Sequence, residues 1–125
     1  MGENSIEYCD ESIFQHTHKI LPCYEINGVG LLYFASYPMI NEIGKQEYFV
    51  NQFNQPHLQF EYFTTNRKVI YLGNCNRNDN VIFELNSFEN HENKIITQSS
   101  LYRESDNEKI AKIFTIKEKT TPNKG

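Results

Sequence analysis

The chain has 125 residues and a mass of 14.7 kDa, with 38% hydrophobic and 14% aromatic residues. That is enough apolar surface for one core and too little for two, while nine Phe and eight Tyr exclude a disordered middle. The net charge is -4 and no basic run is longer than Arg67-Lys68, so nothing in the chain offers a cationic stripe to nucleic acid.

No stretch is long and apolar enough to cross a bilayer. The opening MGENSIEYCDES is acidic and polar where a secretory signal would be basic and then apolar. These features predict a cytoplasmic protein with no membrane partner. Cys9, Cys23 and Cys75 form no Cys-x-x-Cys pair and their odd number argues against a disulfide framework, which predicts structural thiols in a reducing compartment. His16 and His18 share one face of a predicted strand. With no third ligand in sight they are expected to face solvent, and no metal site is expected. His57 and His91 fall in loops without an evident partner.

In chain order, Ser12 to Leu21 mixes β-branched and aromatic residues with polar ones and stops at Pro22, as a strand does. Ile26-Asn27-Gly28-Val29-Gly30 is a loop. From about Ala35 to Phe49, Ala35, Met39, Ile40, Ile43 and Tyr48 recur near helical spacing, with Asn41, Glu42, Lys45 and Gln46 on the other side. Pro38 is tolerated because it lies in the first turn. Asn51 to Pro56 is predicted to be a connecting loop. The second half predicts strands at Leu58 to Thr64, Arg67 to Gly73, Val81 to Phe88, Lys94 to Arg103 and Lys109 to Lys117. They are separated by turns at Asn76 to Asn80, Glu89 to Asn93 and Ser105 to Asn107. A strand, a loop, one long helix and an antiparallel meander is the order of an α+β hot dog fold, a curved sheet wrapped around a central helix. Residues 1–11 are expected to be a polar N-terminal segment, 12–119 the single domain and 120–125 a flexible tail. An open sheet edge predicts a homodimer.

The run from Glu25 to Tyr37 (EINGVGLLYFASY) resembles the signature of the 4-hydroxybenzoyl-CoA thioesterase family. The family's catalytic aspartate corresponds there to Asn27. Three segments, INGVGLLYFASYPMINE, RKVIYLGNCNRND and LYRESDNEKIAKIFT, are similar to the second hot dog of the leinamycin-type acyltransferase/decarboxylase family of polyketide biosynthesis, which also carries asparagine at that place. The resemblance implies an enzyme acting on acyl thioesters of coenzyme A or an acyl carrier protein. It implies no cofactor beyond the CoA or phosphopantetheine of the substrate.

Asn27 cannot titrate, so it cannot serve as nucleophile or base in hydrolysis, yet its amide can orient a thioester carbonyl or a substrate carboxylate. Malonyl-type decarboxylation, which needs no base, is therefore the expected reaction, with Asn27, Ser36 and Tyr37 as catalytic candidates. Gly30, Tyr33, Phe34, Arg67 and Asn74 are the substrate-binding candidates, with Arg67 as the clamp for a phosphate or carboxylate. The residues also permit blander roles: Asn27 as a turn residue, Ser36 as a helix cap, Tyr37 as core and Arg67 as solvated surface. Glu42 and Glu47 are expected on the solvated side of the helix, although the resemblance implies an acid near Glu42 in thioesterases. Two alternatives to decarboxylation remain, a thioesterase using Glu42 or a partner residue, and a silent binding or dimerisation module.

Overall fold

The computed structural model describes residues 9–19, 36–53, 62–75 and 79–119. The elements are β1 (Phe14–Lys19), α1 (Ser36–Phe53), β2 (Tyr62–Tyr71), β3 (Asn80–His91), β4 (Lys94–Arg103) and β5 (Glu108–Lys119). The five strands form one sheet in the order β1-β3-β4-β5-β2, and every neighbouring pair is antiparallel.

Strand alternation sends one set of side chains towards α1. Val81, Phe83 and Leu85 of β3, Leu101 of β4, and Ala111 and Ile113 of β5 meet Tyr37, Ile40, Tyr48 and Phe49 of the helix in a closed core. Helix and sheet approach closely at Gly44, where a Cβ atom would overlap the Phe83 ring. At one end of this interface Phe14 packs edge to face on Tyr48 and Phe49 on Phe88, with Tyr48 and Phe88 tilted against each other.

The other face of the sheet is covered in part by the chain before β1. The Cys9 amide donates to Gln98 Oε1 at 2.9 Å, and Ile13 N donates to the Leu85 carbonyl at 2.8 Å.

Several boundaries differ from expectation, each for a physical reason. α1 continues through Asn51 to Phe53, where a loop was expected, with Asn51 Nδ2 donating to the Glu47 carbonyl at 2.7 Å. The two strands expected on either side of Thr65 and Asn66 are one strand, because the pair with β5 absorbs Thr65 as a bulge. Leu58 to Glu61 lie outside the described residues. β3 runs on to His91, and the reversal into β4 is made by Glu92, at φ 50°, and Asn93. The turn before β5 is as expected, with Asn107 at φ 60°. His16 and His18 do share a face, but it is the face towards the helix, opposite Phe83 and Val81, and His18 is buried. His91 is exposed and its Nε2 lies 2.9 Å from Glu89 Oε1. Among the described residues no helix is long and apolar enough to cross a membrane.

Candidate functional site

Of the residues singled out from the sequence, Asn27, Gly30, Tyr33 and Phe34 lie outside the described residues, as does Cys23. The others fall into two groups. Ser36 and Tyr37 open α1 beside the segment that follows β2. The Tyr37 hydroxyl donates to the Gly73 carbonyl at 2.8 Å, and its ring lies 5.2 Å from that of Tyr71. Tyr37 is completely buried and burial pushes its hydroxyl up to about 12. A phenol so held is a packing group with a committed proton. Asn74 follows directly, its carbonyl accepting from Arg103 Nη1 at 2.7 Å while the rest of the guanidinium grips Asp106. Ser36, Tyr37 and Asn74 are thus gathered at the helix N-terminus, and Ser36 is buried there.

Arg67 is elsewhere. It projects from β2 towards the second turn of α1, where Glu42 meets three cations. Lys117 Nζ of β5 donates to Glu42 Oε1 at 2.5 Å, Lys45 Nζ lies 3.1 Å from Oε2, and Arg67 Nη2 lies 3.7 Å from Oε2. The Glu42 side chain is one-quarter exposed and that of Lys45 only 3% exposed, so this is a seam between helix and sheet rather than the solvated helix face expected for Glu42. Burial alone would raise the Glu42 pKa, but the Lys45 charge and the Lys117 hydrogen bond hold it below the ordinary range. The carboxylate stays ionised at neutral pH. Burial drives Lys45 down to about 8 against the pull of Glu42.

The polar seam continues inward. Asn41, fully buried, accepts from the Ser99 hydroxyl through Oδ1. Three atoms here have no aligned hydrogen-bond partner among the described residues: Asn41 Nδ2, Glu42 Oε2 and Thr115 Oγ1. The sequence hid most of this cluster because its members come from α1, β2, β4 and β5. Two signals were present: Lys45 three residues after Glu42, and Lys117 at an inward position of a strand that also carries Ala111, Ile113 and Thr115.

A second polar network lies on the opposite face of the sheet. Lys112, 1% exposed, donates to the Cys9 carbonyl at 2.7 Å and to Asn86 Oδ1 at 2.8 Å. Asn86 Nδ2 donates to Glu84 Oε1 and to the Glu11 carbonyl, and Ser100 donates to Asn86 Oδ1. Glu84 also accepts from Gln15 and Tyr102. Cys9 and Cys75 are not disulfide-bonded. Cys75 is buried and pushed up to about 11, which makes it a structural thiol. Among the described residues no group of His, Cys, Asp and Glu is placed to hold a metal.

No family model matches this chain, and no curated protein matches it in sequence. Solved structures do. A thioesterase from Thermus thermophilus complexed with coenzyme A and zinc superposes with a TM-score of 0.76 at 12% identity, covering 90% of this chain and 82% of that one. The 4-hydroxybenzoyl-CoA thioesterase of Pseudomonas sp. strain CBS-3 gives a TM-score of 0.73 at 11% identity over 89% and 86% of the two chains. A predicted thioesterase from Bacillus stearothermophilus gives 0.71 at 18% identity over 86% and 80%. None of these three is described as a decarboxylase or acyltransferase. At such identities the likeness is one of architecture, and it agrees with the strand order and the single long helix described above. The chain has the hot dog fold.

Proposed function

We propose that this protein is an acyl-CoA thioesterase that works as a homodimer, with Glu42 as the carboxylate that directs water onto the thioester carbonyl. The observation that carries the reading is the ionised Glu42 carboxylate set among Lys45, Lys117 and Arg67 at the helix–sheet seam. The similar structures described as thioesterases support it, two of the matching structures being complexes with coenzyme A. In the reaction, water attacks the carbonyl carbon and gives a proton to Glu42. The carbon–sulfur bond then breaks, and the CoA thiol leaves with that proton beside the free acid. Lys45 and Lys117, the nearer cations, weaken Glu42 as a base but offset the negative charge that builds on the carbonyl oxygen.

Decarboxylation is the second reading, and it rests on Asn27. An aspartate-to-asparagine mutant of 4-hydroxybenzoyl-CoA thioesterase has been captured with 4-hydroxybenzoyl-CoA, which supports the idea that asparagine at such a position holds a thioester without cleaving it. The cation cluster speaks against the loss of carbon dioxide at Glu42. It would stabilise a substrate carboxylate in the ground state, whereas decarboxylation needs an apolar wall that favours the neutral product.

The dimer is supported by β2, an edge strand whose neighbourhood exposes Phe63, Tyr71 and Leu72 at 52%, 44% and 56%. Sedimentation should give a dimer, and a stable monomer at micromolar concentration contradicts this part of the proposal. The reaction is tested by incubation with acetyl-, malonyl- and methylmalonyl-CoA, read by mass spectrometry. Hydrolysis is expected. Loss of carbon dioxide with the thioester intact supports the decarboxylase, and an unchanged panel supports the silent binding module. Transfer of the same acyl groups to an acyl carrier protein in place of CoA separates the two thiol carriers.

A further inference from the structure

Buried polar side-chain atoms are nearly always paired, since an unpaired one carries its full desolvation penalty. Here Asn41 Nδ2 and Thr115 Oγ1 have no hydrogen-bond partner among the described residues, and between them Glu42 Oε2 is met only by the ion pairs of Lys45 at 3.1 Å and Arg67 at 3.7 Å. On β5 the inward positions are Ile113, Thr115 and Lys117. Ile113 is paired in register with Ser99, which holds Asn41, and Lys117 holds Glu42. Thr115 therefore sits between the anchor of Asn41 and the anchor of Glu42, under two consecutive helix residues. Asn41 is 0% and Thr115 1% exposed, so neither Asn41 Nδ2 nor Thr115 Oγ1 can turn to bulk solvent.

The chemistry of the three atoms is complementary. Asn41 Nδ2 donates only, Glu42 Oε2 accepts only, and Thr115 Oγ1 does either. A water molecule accepts from the first, donates to the second and uses either role with the third, which meets the two to four polar partners that a buried water requires. A purely structural ion cluster would need no unpaired amide and hydroxyl beside its carboxylate.

We infer that Asn41 and Thr115 are positioning residues that hold a water molecule against Glu42 Oε2, and that this is the water consumed in thioester hydrolysis. The inference rests on the thioesterase reading for the water's role, though not for its presence. When it donates to Thr115 Oγ1 as well as to Glu42, a water in this place keeps one lone pair to point at an electrophile, and one of its protons is directed at the carboxylate that must take it. Thr115→Val removes the hydroxyl with little change of shape, and Thr115→Ser keeps it.

The test is a crystal structure of the full chain that shows ordered waters, together with steady-state kinetics and melting temperatures of wild type, Thr115→Val, Thr115→Ser and Asn41→Leu. A water within hydrogen-bond distance of all three atoms is expected. Thr115→Val should lower kcat at least tenfold with KM unchanged, and Thr115→Ser should restore it. Its melting temperature should not rise, because the hydroxyl is bonded. A rise on Thr115→Val, or Asn41 Nδ2 and Thr115 Oγ1 found paired to protein groups, overturns the site. An ordered water with kcat unaltered in Thr115→Val overturns its catalytic role. Should wild type hydrolyse no acyl-CoA, the thioesterase reading fails, and the crystal structure and the melting temperatures alone decide whether the water site exists. If Asn41→Leu fails to fold, the two Thr115 variants carry the test.

Discussion

The sheet carries a buried polar network on each face, and the two are built differently. On the outer face, among the described residues, Lys112 reaches no carboxylate directly. Asn86 stands between it and Glu84, and the remaining donors and acceptors are taken up by Ser100, Tyr102, Gln15 and the chain at Cys9 to Glu11. On the helix face three cations share one carboxylate, and among the described residues Asn41 Nδ2 and Thr115 Oγ1 are left over. A closed network fixes one arrangement of the chain; an open one has capacity for a further group. The outer network accordingly serves the fold and the inner one the chemistry, and each variant below would break or sharpen that division.

The largest expected effect falls on the outer face. Asn86→Ala strips Lys112, Glu84 and Ser100 of a shared partner and should destabilise the protein by about 2 to 4 kcal/mol in urea titrations, while the KM for a thioester stays that of wild type. A changed rate at unchanged stability would erase the distinction between the faces. Gly44→Ala, beneath the inner cluster, should cost about 1 to 3 kcal/mol through overlap with Phe83, despite the better helix propensity of alanine.

Lys45 supplies a pH signature. Its pKa in the fold, about 8, lies below the ordinary lysine value of 10.5. Between those values the unfolded chain binds the proton that the folded chain has lost, so this group's contribution makes stability rise with pH across that window. Relative to Lys45→Met, wild type should gain on the order of 1 to 2 kcal/mol between pH 7 and 9.5, measured by denaturant titration at both pH values. A flat difference would mean that Lys45 is not held in a desolvated seam. The smallest effect is at the rim. Arg67 is one-third exposed and 3.7 Å from Glu42, so Arg67→Ala should raise KM only about threefold and leave kcat nearly unchanged.

Legibility of the sequence divided along similar lines. β4 matches its expected limits, Lys94 to Arg103, because its β-branched run is bounded by turn residues on both sides. The end of α1 was missed because Asn51 and Gln52 read as loop residues, whereas the helix runs on to Phe53 with Asn51 Nδ2 folded back onto the Glu47 carbonyl one turn earlier. The break expected in β2 at Thr65 and Asn66 is a bulge, which only the partner strand β5 reveals. Periodicity put Glu42 on the polar side of the helix, and it could not show that Lys117, 75 residues later, would come to meet it. The signature loop carried the most specific resemblance, yet Asn27, Gly30, Tyr33 and Phe34 fall outside the described residues.

The central claim is that the Glu42 carboxylate performs hydrolysis from within its ring of cations. Its most direct test is Glu42→Gln, which keeps size and shape and removes only the charge and the basic oxygen, assayed by thiol release from an acyl-CoA with folding verified by circular dichroism. The account predicts a folded variant whose kcat has fallen on the order of a hundredfold or more. A folded variant that releases thiol at the wild-type rate contradicts it.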